Sequence, residues 1–350
     1  MRQRRPIRPL FRPRAIRTVS KINPVPTSSS NSQGPSRGFV FYLGPFRFES
    51  EIEIPELRGS TGSGERVVTI SLGGVPAAIP GAMFDGKDCQ VTAAEYLLDI
   101  PGTARYYVRN GDEVRLEIAP GAPIANISTY MLGSCFGALC HQNGWLPLHA
   151  SAVELGGAVT AFLGDSGAGK STLAACLGRR GYHIVSDDIC LLRDESDGMR
   201  VVPVAGWLKL WNESLQYLGE TPVEQNRVYS TDDKFRLFLA EPVAALDSRR
   251  LRLDGVVFLA RAPGSRAQPA LDRISLLEGI SGLMKLTYAG YVPALAGQKS
   301  RVFRQCARVL QQAKAWRLIV PWGLDRMEAV LDQLDAVIFS AASSGNPSAD

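Results

Sequence analysis

The 350-residue sequence predicts an α/β fold, with a small, mostly antiparallel β region followed by a domain in which strands and helices alternate. Three observations carry that reading. Apolar and charged residues alternate with a period of two through much of residues 38–120, the signature of half-buried strands. From about residue 144 onward, short apolar runs alternate with longer stretches of helical periodicity. Between one such run and one such helix lies a glycine-rich octapeptide, Gly164-Asp-Ser-Gly-Ala-Gly-Lys-Ser171, which fits G-x-x-x-x-G-K-[ST] at every fixed position.

The elements follow in order. Residues 1–37 carry Arg, Pro and Ser and too few apolar residues to bury a core, so a disordered basic tail is expected. Phe46, Phe48, Ile52 and Ile54 alternate with Arg47, Glu49, Glu51 and Glu53, which predicts a strand over 46–54. Residues 60–65 read as a loop and 67–72 as the next strand. Asn110-Gly111 between two alternating segments is a hairpin signal, because both residues tolerate the positive φ that a tight turn requires. Residues 129–140 lack charge and read as a buried helix leading out of the β-rich region 38–143. In the domain spanning 144–341, strands are expected at 159–163, 183–187, 189–193, 200–204, 255–260 and 316–320. Helices are expected at 171–180, 275–287, 298–313 and 324–339. In the last of these, Leu324, Met327, Leu331, Leu334 and Ile338 form one apolar face suited to core packing. Residues 342–350 are expected to fray.

Composition is that of an ordinary globular protein, 45% hydrophobic and 21% charged. The net charge of +5 is unevenly placed. Residues 1–38 hold nine basic residues and no acid, leaving 30 basic against 34 acidic groups in the rest. The basicity therefore belongs to the tail, and no nucleic-acid partner is expected for the folded body. The tail itself is open to three readings: contact with RNA, DNA or an acidic surface, a solvated extension, or a start placed too far upstream. No segment holds the roughly 18 apolar residues of a membrane span, and Arg and Pro interrupt any signal-peptide core. The six cysteines form no C-x-x-C pair and lie in apolar segments, as buried thiols of a cytoplasmic protein would.

The octapeptide carries the chemistry. Its glycines let backbone N–H groups converge on phosphate oxygens, and the following helix adds its N-terminal dipole. Lys170 is expected to reach the β/γ-phosphates of ATP and Ser171 to sit on Mg²⁺, with Gly164, Asp165, Ser166, Gly167, Ala168, Gly169 and Thr172 completing the nucleotide-binding segment. Ile184 and Val185 read as a strand parallel to the one before the loop, ending in Ser186-Asp187-Asp188. One acid at that edge suffices for the metal, and Asp187 is the candidate. The second, Asp188, is either a turn residue or an acceptor for the proton of an attacking hydroxyl. His149 is either structural or, if residues 151–163 fold as a hairpin, close to the phosphates.

The run from His149 through Gly164–Ser171 to Ser186-Asp187-Asp188 resembles the core of HPr kinase/phosphorylase and its relatives. That resemblance implies an HPr-kinase-like P-loop domain in which Lys170 and Ser171 handle phosphate and Mg²⁺. It further implies that Asp187 assists the metal, Asp188 accepts the proton and His149 is an active-site residue. The acidic signature of that family is not matched at Gly206–Glu213, where Glu213 stands in the acidic position. A closer likeness is to HPr-kinase-related enzymes of lasso-peptide clusters, carried by Phe46–Leu57, Pro101–Val108, Pro147–Val153, Leu208–Trp211 and Lys234–Arg236. It implies an ATP- and Mg²⁺-dependent serine kinase acting on a peptide or small protein, in particular the C-terminal Ser of a precursor peptide. Lys209, Lys234 and Arg236 are candidates for holding a carboxylate or phosphate, or are solvated surface. A nucleotide-dependent regulatory protein and a kinase of a free hydroxy amino acid stay open as alternatives. So does assembly into an oligomer.

Overall fold

The computed structural model describes residues 38–85, 88–204, 206–239, 251–262, 268–321 and 323–339. The expected basic tail and the frayed segment 342–350 lie outside the described residues. The chain is a mixed α/β structure with one sheet for each half and a small separate hairpin.

Eight strands form the first sheet: β1 (Phe39–Leu43), β2 (Phe46–Ser50), β3 (Arg66–Leu72), β4 (Phe84–Asp85), β5 (Cys89–Val91), β6 (Glu95–Ile100), β7 (Ala104–Arg109) and β8 (Glu113–Ile118). Their order is β1-β2-β3-β8-β7-β6-β5-β4, antiparallel except where β3 meets β2 and β8. The Asn110-Gly111 turn joins β7 to β8 with φ of 53° and 77°, the two positive values of a type I′ hairpin. The predicted strand over 46–54 stops at Ser50. There the Ser50 hydroxyl donates to Ile52 O at 2.7 Å and accepts from Ile52 N–H at 3.1 Å, which turns the chain although Ile54 is still buried beyond it.

The apolar segment after β8 is helical from 124 to 142, as α1 (Ile124–Tyr130), a π-helical turn (Met131–Cys135) and α2 (Phe136–Gln142). Phe46, Phe48, Tyr106 and Leu116 of the sheet pack on Met131, Phe136 and Leu139 of this helix. Ile189, Leu191 and Trp207 from the second half enter the same cluster, so the two halves share one core.

The second half contains β9 (Leu146–Leu148), β10 (Ala150–Leu155), β11 (Ala158–Leu163), α3 (Lys170–Arg179), β12 (His183–Ser186), β13 (Cys190–Glu195) and β14 (Gly198–Val202). There follow β15 (Trp207–Trp211), α4 (Asn212–Tyr217), β16 (Lys234–Phe238), β17 (Arg252–Arg261), β18 (Ala270–Arg273), α5 (Leu276–Lys285), α6 (Tyr291–Leu295), α7 (Lys299–Gln312), β19 (Lys314–Val320) and α8 (Met327–Leu334). β11 is flanked by antiparallel β10 on one side and parallel β17 on the other. β19 lies beyond β17, and β12 lies beyond β10. The expected orientation of β12 holds, since it runs in the direction of β11, but β10 stands between them.

Side chains alternate across this sheet with the period of a pleated strand. Val159, Ala161 and Leu163 face a layer containing Ile280 of α5 and Val302 and Val309 of α7. Phe162, Val257 and Leu318 face α3 and α8 through Leu173, Leu177, Met327 and Leu331. The predicted apolar face of the last helix is thus core, with Leu324 and Ile338 half-buried at its ends. Among the described cysteines none is in a disulfide, and Cys89 is the one not fully buried. No described helix is long and apolar enough to cross a membrane.

Candidate functional site

The loop after β11 is held in shape by its backbone. Ala168 N–H donates to Asp165 O at 3.1 Å, and Gly169 caps α3 with φ of 97°, a conformation L-residues avoid. A Cβ on Gly164 would lie 3.0 Å from the Ala168 Cβ and 3.2 Å from Leu259 O, so that position needs glycine for space. The loop delivers Lys170, buried at the first turn of α3, to the C-terminal edge of the sheet, where ligands of open α/β sheets bind.

Lys170 Nζ donates to Gly164 O (2.9 Å) and Asp165 O (3.2 Å) and lies 3.0 Å from His149 Nε2. His149 Nδ1 lies 3.2 Å from Asp188 O and 3.4 Å from Asp188 Oδ1. An ammonium can only donate, so His149 Nε2 is the acceptor and Nδ1 carries the proton toward Asp188. Burial pushes the His149 pKa down, with Lys170 adding to it against the pull of Asp188, so the ring is neutral, as this chain of donors requires. Burial likewise lowers the Lys170 pKa, opposed by Asp188 and Asp187. His149 sits just before β10, its N–H bonded to Leu286 O at 2.8 Å and its ring 5.7 Å from that of Tyr288.

Asp188 adopts φ of 68°, one of few non-glycine residues in the left-handed region, which marks it as a position held by its surroundings. Burial raises its carboxyl pKa, but the Lys209 ammonium outweighs that and holds it well below the usual carboxylate range. Lys209 Nζ donates to Asp188 Oδ2 at 2.7 Å.

Asp187 is placed differently from the expected metal ligand. It is buried, its Oδ1 accepts from the Ser151 hydroxyl at 2.5 Å and its Oδ2 from Lys209 N–H at 2.7 Å. The carboxylates that line the cavity above the loop are Asp188 and Glu213. Asp187 instead pins β15 to the end of β12, a role its acidic neighbour obscures in the sequence.

That cavity, about 320 Å³, joins the P-loop, His149 and Asp188 to the β15–β16 hairpin. Ser166, Gly167, Ala168, Gly169, Ser171 and Thr172 all border it, and Thr172 Oγ1 also bonds Ser214 Oγ at 2.9 Å. Asp165 turns outward to an exposed pair with Lys285 at 3.3 Å. Of the three candidate anion-binding cations, Lys209 is committed to Asp188 and Lys234 borders the cavity 5.7 Å over the Trp211 ring. Arg236 shares a face of the hairpin with Lys209 and Lys234 but is buried against Glu56 at 3.2 Å and Thr129 Oγ1 at 2.9 Å, and it does not border the cavity.

Arg261 was not singled out by the sequence. It ends β17, donates to Gly167 O at 2.9 Å and borders the cavity, and burial lowers its pKa. The available signal was its place at the end of the parallel strand beside β11. Among the described residues no cluster of three or more His, Cys, Asp or Glu could cage a metal by itself.

No protein-family profile matches the chain, and no curated protein matches it. Among solved structures, it is similar to the Hpr(Ser) kinase/phosphatase from Coxiella burnetii, at 11% identity over 57% of this chain and 99% of that one. The TM-score of 0.25 is too low to transfer a residue role from that structure.

Proposed function

We propose that this chain transfers the γ-phosphoryl group of ATP to an alcohol. The observation that carries the reading is the unbroken line Lys170–His149–Asp188–Lys209 set across the mouth of a P-loop cavity. A pure nucleotide switch needs the loop and one acid; it does not need a neutral histidine and a charge-clamped second acid beside the loop.

The residues fit the nucleotide and its metal. The glycine cradle leaves no room for a Cβ at Gly164, and the helix N-terminus favours an anion. Ser171 and Glu213 offer hard oxygen donors, the type Mg²⁺ takes when phosphates and water complete its shell. When bound, the ion neutralises charge on the phosphate oxygens.

In the reaction the acceptor oxygen forms a bond to the γ-phosphorus, the bond from that phosphorus to the bridging oxygen breaks, and ADP leaves with the electron pair. The hydroxyl proton passes to Asp188. Because Lys209 holds that carboxylate ionised, it is a weak base that orients the hydroxyl and takes the proton late. That suits a loose transition state with little bonding to the nucleophile. Lys170, released from the loop carbonyls, follows the charge on the phosphates, and His149 fixes its direction.

The finer reading makes the alcohol a serine of a peptide or small protein, in particular the C-terminal Ser of a lasso precursor. It draws support from the sequence motifs and from Trp211 and Lys234, which wall the acceptor end of the cavity. The test is phosphopeptide formation by mass spectrometry with ATP, Mg²⁺ and a C-terminal-Ser peptide, with free serine in parallel. Asp188→Asn should slow transfer by about 10²–10⁴-fold; equal rates would remove Asp188 from the chemistry. ATP binding with no acceptor phosphorylated would favour a regulatory protein instead.

A further inference from the structure

We propose that the nucleoside of the bound triphosphate lies on the apolar wall formed by Val320, Leu324 and Met327, with Arg326 at its rim. The inference rests on the nucleotide reading above and assigns the polarity of the ligand within the cavity.

The cavity is one continuous space with two chemically different ends. At one end stand His149, Asp188, Lys209, Lys234 and the Trp211 ring, and at the other the three apolar residues with Arg326. The sheet order sets these ends on opposite sides of the P-loop. β10 and β12, which bring His149 and Asp188, flank β11 on one side, and β17 and then β19 flank it on the other.

A phosphorus that reacts beside Asp188 has to lie toward β12. The remaining phosphates, ribose and base then run the other way, past Arg261 at the end of β17 to the end of β19. What meets them there is suited to a ring system. Val320 and Met327 are 6% and 5% exposed and are backed by Val330, Leu331 and Leu334 of the core, so the wall is preformed. Arg326 presents a planar cation of the kind that stacks on a base. At the opposite end Lys209, Lys234 and Asp188 stand with the neutral His149, and the Trp211 ring there lies under Lys234 at 5.7 Å, so that end suits the reacting phosphate and its acceptor.

The test compares Mg²⁺-ATP with inorganic tripolyphosphate by titration calorimetry on the full chain. Wild type is expected to bind ATP at least about tenfold more tightly, since only ATP can use the wall. Leu324→Arg is expected to cost ATP about tenfold while leaving tripolyphosphate within about twofold. Equal affinities for the two ligands in wild type would overturn the assignment, as would a loss in Leu324→Arg that is the same for both. If Leu324→Arg does not fold, Arg326→Ala, at a half-exposed site, carries the same comparison with the same two outcomes. Binding of neither ligand to wild type would instead remove the nucleotide reading itself.

Discussion

Lys209 holds both acids of the Asp187-Asp188 pair. Its side chain donates to Asp188 Oδ2 and its backbone N–H donates to Asp187 Oδ2, each at 2.7 Å. A single residue of β15 therefore sets the charge state of one carboxylate and the position of the other. Lys209→Met should keep the backbone bond and remove the cation. The Asp188 carboxyl then rises toward its ordinary range, and the acid limb of the kcat/KM profile moves to higher pH. A pH–rate series on the two proteins checks this, and coincident acid limbs would contradict it.

The Arg236–Glu56 pair ties the hairpin to the first half of the chain from within the core. Glu56 Oε1 also accepts from the Ser128 hydroxyl at 2.7 Å, and Arg236 Nη1 donates to Arg227 O at 3.0 Å. Arg236→Met leaves a buried carboxylate unpaired and is expected to lower stability by about 3–5 kcal/mol. Removing both charges, in Arg236→Met with Glu56→Gln, should cost less than the single change. Urea denaturation of the three variants tests this, and additive losses would show that the pair is not coupled.

Two glycines of the P-loop should fail for different reasons. At Gly169 there is room for a methyl group, the nearest atom being Arg261 Nη2 at 3.7 Å, so Gly169→Ala meets only the backbone penalty of about 1–2 kcal/mol. At Gly164 the backbone is unstrained but the space is taken. Gly164→Ala should displace the loop and weaken tripolyphosphate binding, and adding Ala168→Gly should restore part of it. Thermal melts combined with calorimetry separate the two cases.

His141 gives the fold a pH dependence unconnected with the cavity. Its Nε2 bonds Tyr288 O at 2.8 Å, and burial pushes its pKa down to about 4. Between pH 6.5 and about 4 the unfolded chain holds a proton that the folded chain does not, so stability rises with pH in that window and falls on acidification. The slope is about 1.4 kcal/mol per pH unit for one proton. His141→Gln should flatten the dependence of Tm on pH between 6.5 and 5, and an unchanged slope would assign the effect elsewhere.

The parts legible in the sequence are those governed by local rules. Asn110-Gly111 announced its turn because few other residues adopt its dihedral angles, and the long helices announced themselves by period. The β15–β16 hairpin was not legible. Its strands pair Trp207 with Phe238 and Trp211 with Lys234 across more than twenty intervening residues, so no local signal fixes the register. α4, six residues long, is too short to display a helical period. At the site, the P-loop and the acidic pair were readable as types of residue. Which acid faces the cavity was not, because that depends on Ser151 and Lys209, residues that only the folded sheet brings to Asp187. Lys209 itself read as an anion-binding candidate, since a sequence cannot show that a lysine has already found its carboxylate.

The placement of β10 between β11 and β12 has one more consequence. A one-residue slip of this strand would turn every one of its side chains to the other face. His149 precedes it and Ser151 lies within it, so a slip would part Lys170 from its imidazole and Asp187 from its hydroxyl at once. Both contacts therefore hang on one register, and partial unfolding at this strand should break them together.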